Sequence, residues 1–309
     1  MNVIFMGTPD FAVPCLARLL EDGHDVRLVV TQADKPKGRG YQLAPPPVKK
    51  FALSKNLEVF QPLVLKTDGV FDKLAACQPD LIVVVAYGKI LRKRILQLPK
   101  YGCLNIHASL LPKYRGAAPI QWVVLNGETE AGVTAMKMDA GVDTGDMLLQ
   151  AGIPVPEEMT SGELHDALSV LGAQVLSDTI KKLQDGSLKP EKQDESASSY
   201  APMLDKSMCS LDFSRPAAVL HNQVRGLNPW PVAHCMIHGK IVKIFRSVVS
   251  GRTDSYPGTI THLDPLAVAC GDGKSLELHE MQIEGGKRMS AADFLRGHPM
   301  KVGENIHHL

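Results

Sequence analysis

The sequence has few aromatic residues, no surplus of either charge and no long apolar run. Phe, Trp and Tyr make up 5% of the 309 residues, and 34 Lys and Arg oppose 33 Asp and Glu. A near-neutral chain has no global field that would draw it to nucleic acid or a membrane, so any polyanion site must come from local clustering. No apolar stretch approaches the roughly 18 to 20 residues that span a bilayer. The sequence therefore predicts no membrane span.

Paired cysteines are also missing. The six cysteines are scattered, without a Cys-x-x-Cys pair, which argues against a disulfide scaffold or a structural zinc site. Met1 leads directly into the strand-like stretch NVIFMG rather than into a charged and then apolar leader. We therefore expect a soluble protein of the reducing cytoplasm.

Residues 1–186 alternate strand and helix patterns. Residues 3–6, a Gly-Thr-Pro-Asp turn, an apolar helical pattern over 11–20 and residues 26–30 form a strand-helix-strand unit. Residues 81–86 are an unbroken apolar run, typical of a strand covered on both faces. The first turn lacks the G-x-G-x-x-G spacing that cradles a pyrophosphate. We predict a Rossmann-like, doubly wound parallel sheet that does not bind a dinucleotide.

The chain changes character after residue 186. Residues 187–206 are polar and proline-containing, which predicts a linker. From residue 207 to 309, short strand patterns alternate with turn residues, which predicts a smaller, OB-like β-barrel domain. Eight of the eleven histidines lie in this part, but none pairs with cysteines at metal-ligand spacing, so no metal site is predicted.

Asn105 and His107 form the first candidate site. In an extended strand alternate side chains share a face, so both point one way while Ile106 points into packing. The Ser-Leu-Leu-Pro that follows cannot continue a central strand, which places the pair at a strand end, where α/β proteins build their sites. An amide donor beside an imidazole suits chemistry at a carbonyl group. The alternative is an edge strand with an ordinary surface histidine.

Residues 139–146 form a loop with Asp139, Asp143 and Asp146. Three carboxylates this close raise the possibility of a metal site, but the loop lacks the glutamate that ends an EF-hand loop. We favour a different role, in which one aspartate orients the histidine and stabilises its charged form.

Residues 33–50 form a long basic loop. Five cations, Lys35, Lys37, Arg39, Lys49 and Lys50, oppose only Asp34. Long loops inside compact domains are usually functional or disordered. The functional interpretation is an arm that grips an anionic backbone, and the alternative is a solvated insertion.

Several stretches together resemble the folate-dependent formyltransferases, and in particular the methionyl-tRNA formyltransferase family. The resemblance extends to about residue 304, and Asn-x-His-x-Ser-Leu-Leu-Pro with the later Val-Asp-x-Gly is shared by all the folate-dependent enzymes. The basic loop, the segment RGAAPIQW and the C-terminal part narrow it to the tRNA branch. Its matching stretches are FMGTPDFAVPCL, TQADKPKGRG with PPPVK, AYGKIL, LNIHASLLPKYRGAAPIQW, GVTAMKMDAGVDTGDML, NPWP and PGTI…ACGDG…KRMSAADF.

The resemblance implies transfer of a formyl group from 10-formyltetrahydrofolate to the amino group of initiator methionyl-tRNA, in support of translation initiation. It assigns the catalytic trio to Asn105, His107 and Asp143. The tetrahydrofolate site would use Ser109, Leu110, Leu111 and Pro112, and its pterin pocket would be lined by Gly88 and Ile90.

The resemblance also implies a tRNA-binding set, and we expect a monomer because few features of the sequence indicate an oligomer. The loop that carries Arg39 would enter the acceptor end of the tRNA, and the C-terminal domain would hold more of the acceptor stem. Met203 stands where the family commonly has a lysine, so Lys206 is the candidate replacement. The tRNA-binding set is Lys35, Lys37, Arg39, Lys49 and Lys206.

Two questions stay open at the level of sequence: the role of His107 and the function of the chain. His107 can stabilise the oxyanion or assist protonation of the folate nitrogen. The chain can also be a formyl-folate hydrolase or a formyltransferase for a small amine such as a nucleotide sugar. A third alternative is a tRNA-binding module that keeps only a relic of the site.

Overall fold

A computed structural model describes residues 1–37 and 42–306, which form two compact units that interleave along the chain. The first comprises Met1–Gly116, Ala131–Ile153 and His165–Ala201, and the second comprises Ala117–Glu130, Pro154–Leu164 and Pro202–Leu309. The predicted division was sequential, with domains 1–186 and 207–309 joined by a linker 187–206. In the structure, residues 187–201 belong to the first unit, and two earlier segments belong to the second.

The first unit is built on a seven-stranded sheet with the order β10-β9-β7-β6-β1-β2-β5. Neighbours from β7 to β5 pair in parallel, and β9 pairs antiparallel with β7. Its strands are β1 Asn2–Gly7, β2 Asp25–Val30, β5 Val59–Phe60, β6 Leu81–Val85, β7 Cys103–His107, β9 Glu130–Lys137 and β10 Met147–Pro154. Among the described residues of the same unit, four short strands lie outside this sheet: β3 Lys35–Lys37, β4 Gln42–Ala44, β8 Arg115–Gly116 and β11 Tyr200–Ala201.

Helices cover both faces of this sheet. They are α1 Val13–Glu21, α2 Pro47–Ser54, α3 Asp68–Ala76, α4 Lys93–Leu96 and α6 Ser161–Gln184, and a 3-10 turn Asp10–Ala12 precedes α1. One face packs Ile4, Met6 and Cys103 against apolar residues of α3 and α4. On the other face, an added Cβ on Gly172 of α6 would lie 3.1 Å from Ile106 and 3.8 Å from Cys15 of α1. This arrangement confirms the predicted Rossmann-like, doubly wound sheet.

The segment 33–50, predicted as one long loop, is partly regular. β3 and β4 pair antiparallel as a hairpin. Helix α2 then begins at Pro47, a residue whose fixed φ suits the first helical turn, so Lys49 and Lys50 lie on a helix. Residues 38–41 of this segment, including Arg39, lie outside the described residues.

The second unit is a small antiparallel sheet domain, as predicted for the C-terminal part. Its strands have the order β12-β13-β16-β15-β14, with β17 paired to β16. Within this unit, helix α7 packs against β13 and β16 and against α5, whose Leu125 lies on the apolar core. Its elements are α5 Pro119–Leu125, α7 Ala217–Gly226, β12 His234–Ile237, β13 Lys240–Arg252, β14 Ile260–Leu263, β15 Leu266–Ala269, β16 Lys274–Ile283, β17 Met289–Ser290 and α8 Ala291–Gly297.

Within residues 1–37 and 42–306, no helix combines the length and the apolar character that crossing a membrane requires.

Candidate active site

Asn105 and His107 lie at the carboxyl end of β7, as the sequence predicts. The strand is central in the sheet: its Asn105 pairs with Val84 of β6 and with Met136 of β9. Because side chains alternate, both residues project from one face while Ile106 packs under α6. Asn105 and His107 are only 9% and 7% exposed. A buried amide and imidazole at the end of a central strand form a built site rather than a solvated edge.

Asp143 reaches this pair from the loop after β9. Its Oδ2 lies 3.6 Å from His107 Nδ1, and its Oδ1 accepts from Asn105 Nδ2 at 3.4 Å. Both distances are longer than the typical hydrogen-bond distance of about 2.9 Å, so the carboxylate faces both groups without a short hydrogen bond to either. Asp143 Oδ2 also accepts from the backbone N of Gly116 at 2.9 Å.

The other ring nitrogen of His107 is held by the backbone. Nε2 lies 2.9 Å from the carbonyl oxygen of Tyr114. A carbonyl can only accept, so Nε2 must carry the hydrogen. A charged imidazole would place a second hydrogen on Nδ1, which faces Asp143. The site therefore offers an acceptor to each nitrogen of an imidazolium.

The aspartate-rich loop supplies one carboxylate to the site and uses another to hold its own shape. Asp139 Oδ1 accepts from Gly141 N at 2.9 Å and from Thr144 Oγ1 at 2.8 Å. Asp143 adopts φ +54°, a left-handed conformation that aspartate tolerates better than most residues. Gly145 is required because a Cβ there would lie 1.8 Å from the carbonyl oxygen of Lys137.

The loop's competing interpretation was a metal site. Among the described residues, no group of three His, Cys, Asp or Glu side chains is placed to hold a metal ion. The distances favour an orienting carboxylate over a ligand cluster.

Two polar side chains that the sequence did not indicate, Thr134 and Gln150, hold the backbone of the predicted tetrahydrofolate segment after His107. This segment comprises Ser109, Leu110, Leu111 and Pro112. Thr134 Oγ1 donates to the Ser109 carbonyl at 2.6 Å and accepts from Leu111 N at 3.0 Å. Gln150 Nε2 donates to the Leu111 carbonyl at 2.8 Å. The signal available in the sequence was a lone threonine in the apolar stretch between Glu130 and Lys137, the exposed ends of β9.

Gly88 and Ile90, predicted to line a pterin pocket, follow the end of β6. A Cβ added to Gly88 would lie 2.5 Å from the side-chain amide nitrogen of Gln32, so a larger residue there would have to displace that amide. That Gln32 nitrogen donates to the Tyr87 carbonyl. Ile90 is 78% exposed, so its apolar side chain is available for contact.

The predicted tRNA-binding cations lie in different environments. Lys35 and Lys206 are exposed. Lys49 instead bonds within the protein: its Nζ lies 2.8 Å from Asp34 Oδ2 and 2.7 Å from Gln61 Oε1. Arg39 and the side chain of Lys37 lie outside the described residues.

An amide donor beside an imidazole that a carboxylate orients, at the carboxyl edge of a Rossmann-like sheet, is typical of enzymes that transfer an acyl group, because the amide and a charged imidazole stabilise the negative charge that develops on a carbonyl oxygen. The Formyl transferase family matches residues 1–180, and the formyl transferase C-terminal domain matches residues 203–299.

Two relatives match almost the whole chain. The methionyl-tRNA formyltransferase of Acetivibrio thermocellus is 49% identical over 98% of each chain. That of Trichlorobacter lovleyi is 50% identical over 98% of this chain and 96% of its own. The chain belongs to the methionyl-tRNA formyltransferase family.

Solved structures share the fold at low identity. An N-formyltransferase from Helicobacter canadensis, in complex with folinic acid and dTDP-3-aminofucose, has a TM-score of 0.68 at 20% identity, covering 90% of this chain and 98% of its own. A sugar 3N-formyl transferase, WlaRD, has a TM-score of 0.68 at 22% identity, covering 89% of this chain and 96% of its own.

Proposed function

We propose that this protein transfers the formyl group of 10-formyltetrahydrofolate to the free amino group of initiator methionyl-tRNA and so supports translation initiation. The observation that carries the proposal is the meeting of Asn105, His107 and Asp143 at the end of β7, in a chain of this family. It acts as a monomer in the cytoplasm and needs no metal.

The reaction is a direct attack of the substrate amine on the formyl carbon. The new carbon–nitrogen bond pushes the carbonyl electron pair onto oxygen and gives a tetrahedral oxyanion. As the oxyanion collapses, the bond to the folate nitrogen breaks, that nitrogen gains a proton, and the attacking amine loses one. Asn105 Nδ2 can donate to the oxyanion, and one such donor contributes about 3 kcal/mol to transition-state stabilisation.

His107 has the clearest electrostatic role in this scheme. With Nε2 at the Tyr114 carbonyl and Nδ1 toward Asp143, each ring nitrogen faces a protein acceptor. This geometry favours a charged ring that stabilises the oxyanion. It disfavours proton transfer from the ring, because the hydrogen on Nε2 is already bonded to the Tyr114 carbonyl. Asp143 keeps that ring oriented and compensates its charge.

A covalent enzyme intermediate is not needed. A bound amine held in a fixed geometry already makes the step effectively unimolecular. Cys103 is unsuited to attack, because burial raises the pKa of its thiol to about 12 and the thiolate is the nucleophilic form. Ser109 Oγ donates to the Lys113 carbonyl at 2.7 Å and serves the turn.

The two substrates approach from different parts of the chain. Ser109–Pro112 together with Gly88 and Ile90 bind the folate. The basic segment and Lys206 bind the acceptor end of the tRNA through its phosphates, and the antiparallel C-terminal domain holds more of the acceptor stem.

One assay separates this function from its rivals. The protein is incubated with 10-formyltetrahydrofolate, with and without charged initiator tRNA, and formyl-methionyl-tRNA, free formate and reduced folate are measured. We expect reduced folate to form in step with formyl-methionyl-tRNA and only when the tRNA is present. Formate release that is independent of tRNA indicates a hydrolase. Folate that stays unconsumed in the presence of tRNA indicates an enzyme for a smaller amine if the tRNA is not bound, and a non-catalytic module if it is bound.

A further inference from the structure

The polar segment after α6, predicted as a linker, is hydrogen-bonded to the site along most of its length. Glu191 and Met147 exchange two backbone hydrogen bonds of 2.8 Å. Ser199 Oγ accepts from Tyr114 N at 2.8 Å, and the Ser199 carbonyl accepts from Arg115 N at 2.9 Å. Strand β11, Tyr200–Ala201, then pairs in parallel with β8. Residues 191–201, which we call the strap, therefore hold both loops that reach His107.

Gln193 makes the most direct contact between the strap and the aspartate loop. Its Nε2 donates to the carbonyl oxygens of Asp143 and Gly145, each at 2.8 Å. Its Oε1 accepts from Arg115 Nε at 2.9 Å. The orientation of this amide is set by chemistry: the guanidinium can only donate, and the two carbonyls can only accept.

Arg115 fixes Gln193 in turn. It is only 8% exposed, and its terminal nitrogens bind both carboxylate oxygens of Glu195 at 2.9 and 2.8 Å. This paired hydrogen bond lowers the pKa of Glu195 and raises that of Arg115. The guanidinium is thus held at one end by the strap and presents its Nε to Gln193 at the other.

The carbonyls of Asp143 and Gly145, which both accept from Gln193, lie in the backbone turn that orients the Asp143 side chain. Asp143 has φ +54°, and Gly145 leaves no room for a side chain, so the turn is a demanding conformation. Without the amide, both carbonyl oxygens would lose the hydrogen bond that Gln193 donates to them. The carboxylate of Asp143 already lies at the long distances of 3.6 Å from His107 and 3.4 Å from Asn105. A small rotation of the turn would remove it from both.

We propose that Gln193 is a positioning residue for the formyl transfer: it sets the backbone of Asp143 and thereby the aim of its carboxylate at His107 and Asn105. The inference rests on the proposed function for its kinetic part only. Gln193 lies outside the reacting groups, so its effect falls on the chemical step and leaves substrate affinity in place.

The test compares Gln193→Met with Gln174→Met in the full-length protein. Methionine has a similar length but neither donates to the two carbonyls nor accepts strongly from Arg115. Gln174 is an exposed residue of α6 whose Nε2 bonds Asp178. We expect Gln193→Met to lower kcat by about 10- to 100-fold, the size of loss that a misplacement of about 1 Å produces. The KM for each substrate should stay within about twofold, and Gln174→Met should match the parent.

Amide hydrogen exchange supplies a readout that does not depend on activity. In Gln193→Met, exchange should accelerate in the peptide that covers the loop 139–146, while the β-strands of the first unit keep their protection. Unchanged kcat with unchanged exchange at 139–146 overturns the proposal, as does a loss of kcat with faster exchange throughout the unit. If the parent transfers no formyl group, the proposed function fails, and the exchange of residues 139–146 alone decides whether Gln193 positions Asp143.

Discussion

At the scale of single residues, the site depends on how one imidazole is held. His107 is nearly buried, with Nε2 on the Tyr114 carbonyl and Nδ1 toward Asp143. Nε2 donates a hydrogen bond to that carbonyl, and Nδ1 lies 3.6 Å from the carboxylate, a distance at which a charged ring would form an ion pair rather than a short hydrogen bond. The sequence left two roles open for this residue, and this geometry favours stabilisation of charge.

Replacing His107 by alanine should lower kcat by about 10² to 10⁴-fold, the usual loss when a positioned imidazole is removed. The affinity for tRNA should persist, because the basic segment and the C-terminal domain are intact. Steady-state formylation and a filter-binding assay measure the two quantities. His165 is a matched control, since its Nε2 also lies 3.6 Å from a carboxylate, that of Asp10. Turnover that survives in His107→Ala would remove the residue from the catalytic set.

The sequence predicts the residues proposed to act on the substrate but not the residues that position them. Asn105 and His107 follow from strand alternation, which together with the loop predicts an aspartate partner, and the resemblance to the formyltransferases singles out Asp143 among the three aspartates. Gln193 lies in a polar stretch without periodicity, so no pattern distinguishes it from a solvated linker residue. Its role is visible only once the fold brings the strap to the aspartate loop.

At the scale of elements, the segment 33–50 combines exposed cations with a hydrogen-bonded cluster of Asp34, Lys49 and Gln61, which we call the Asp34 anchor. Lys35 lies in the exposed hairpin, whereas Lys49 is engaged by Asp34 and Gln61 at the start of α2. Prolines and glycines hid the hairpin from sequence reasoning, because they are typical of irregular loops. The proposed contact with tRNA phosphates therefore falls on the cations away from this anchor.

Replacing Arg39 by alanine should weaken the use of tRNA and leave the KM for the folate unchanged. Each phosphate contact that is lost reduces the slope of log K against log salt by about 1. Binding of initiator tRNA is measured over a series of salt concentrations. Lys182→Ala, which removes an exposed cation from the end of α6, should keep the parent slope. An altered folate KM with an unaltered salt slope would assign the segment to the other substrate.

The Asp34 anchor predicts a pH dependence of stability. Hydrogen bonds from Lys49 and Gln61 lower the pKa of the Asp34 carboxyl below its ordinary value of 3.8. A carboxylate with a lowered folded pKa stabilises the fold above its unfolded pKa, and that contribution is lost as the pH falls through the folded value. The Tm of Asp34→Asn should therefore lie below that of the parent at neutral pH.

This Tm difference should shrink as the pH falls below about 4, near the ordinary pKa of an aspartate. Asp25→Asn, at an ion pair with Arg27 in which both side chains are half exposed, is the control and should change Tm little at any pH. A difference between Asp34→Asn and the parent that is constant with pH would show that the ionised anchor does not stabilise the segment.

The regular elements were the most predictable part of the fold. Apolar runs placed β1, β2 and β6 close to their observed bounds, and strand alternation placed β7 around Asn105 and His107. The sequence did not show β10, because its pattern MLLQAGIP mixes polar and small residues with apolar ones. That strand lies at one end of the sheet order, next to β9, where only one flank needs a partner.

At the scale of the whole molecule, the two units interleave instead of following each other. The helix α5 is early in the chain, but its apolar side chains pack with α7 in the second unit. No composition shift marks such an excursion, so sequence reasoning placed the boundary at the polar stretch after residue 186. The physical boundary is set by which apolar faces are buried together.

In the proposed mechanism, the amine of methionyl-tRNA attacks the formyl carbon directly at the site of Asn105, His107 and Asp143. A rapid-quench single turnover with isotopically labelled formyl donor, excess enzyme and charged initiator tRNA tests it most directly. The label should appear on methionyl-tRNA at the rate at which reduced folate appears, with none on the protein, and His107→Ala should slow both together. Label that passes through the protein, or folate release that leaves the label in formate, would contradict direct attack by the amine.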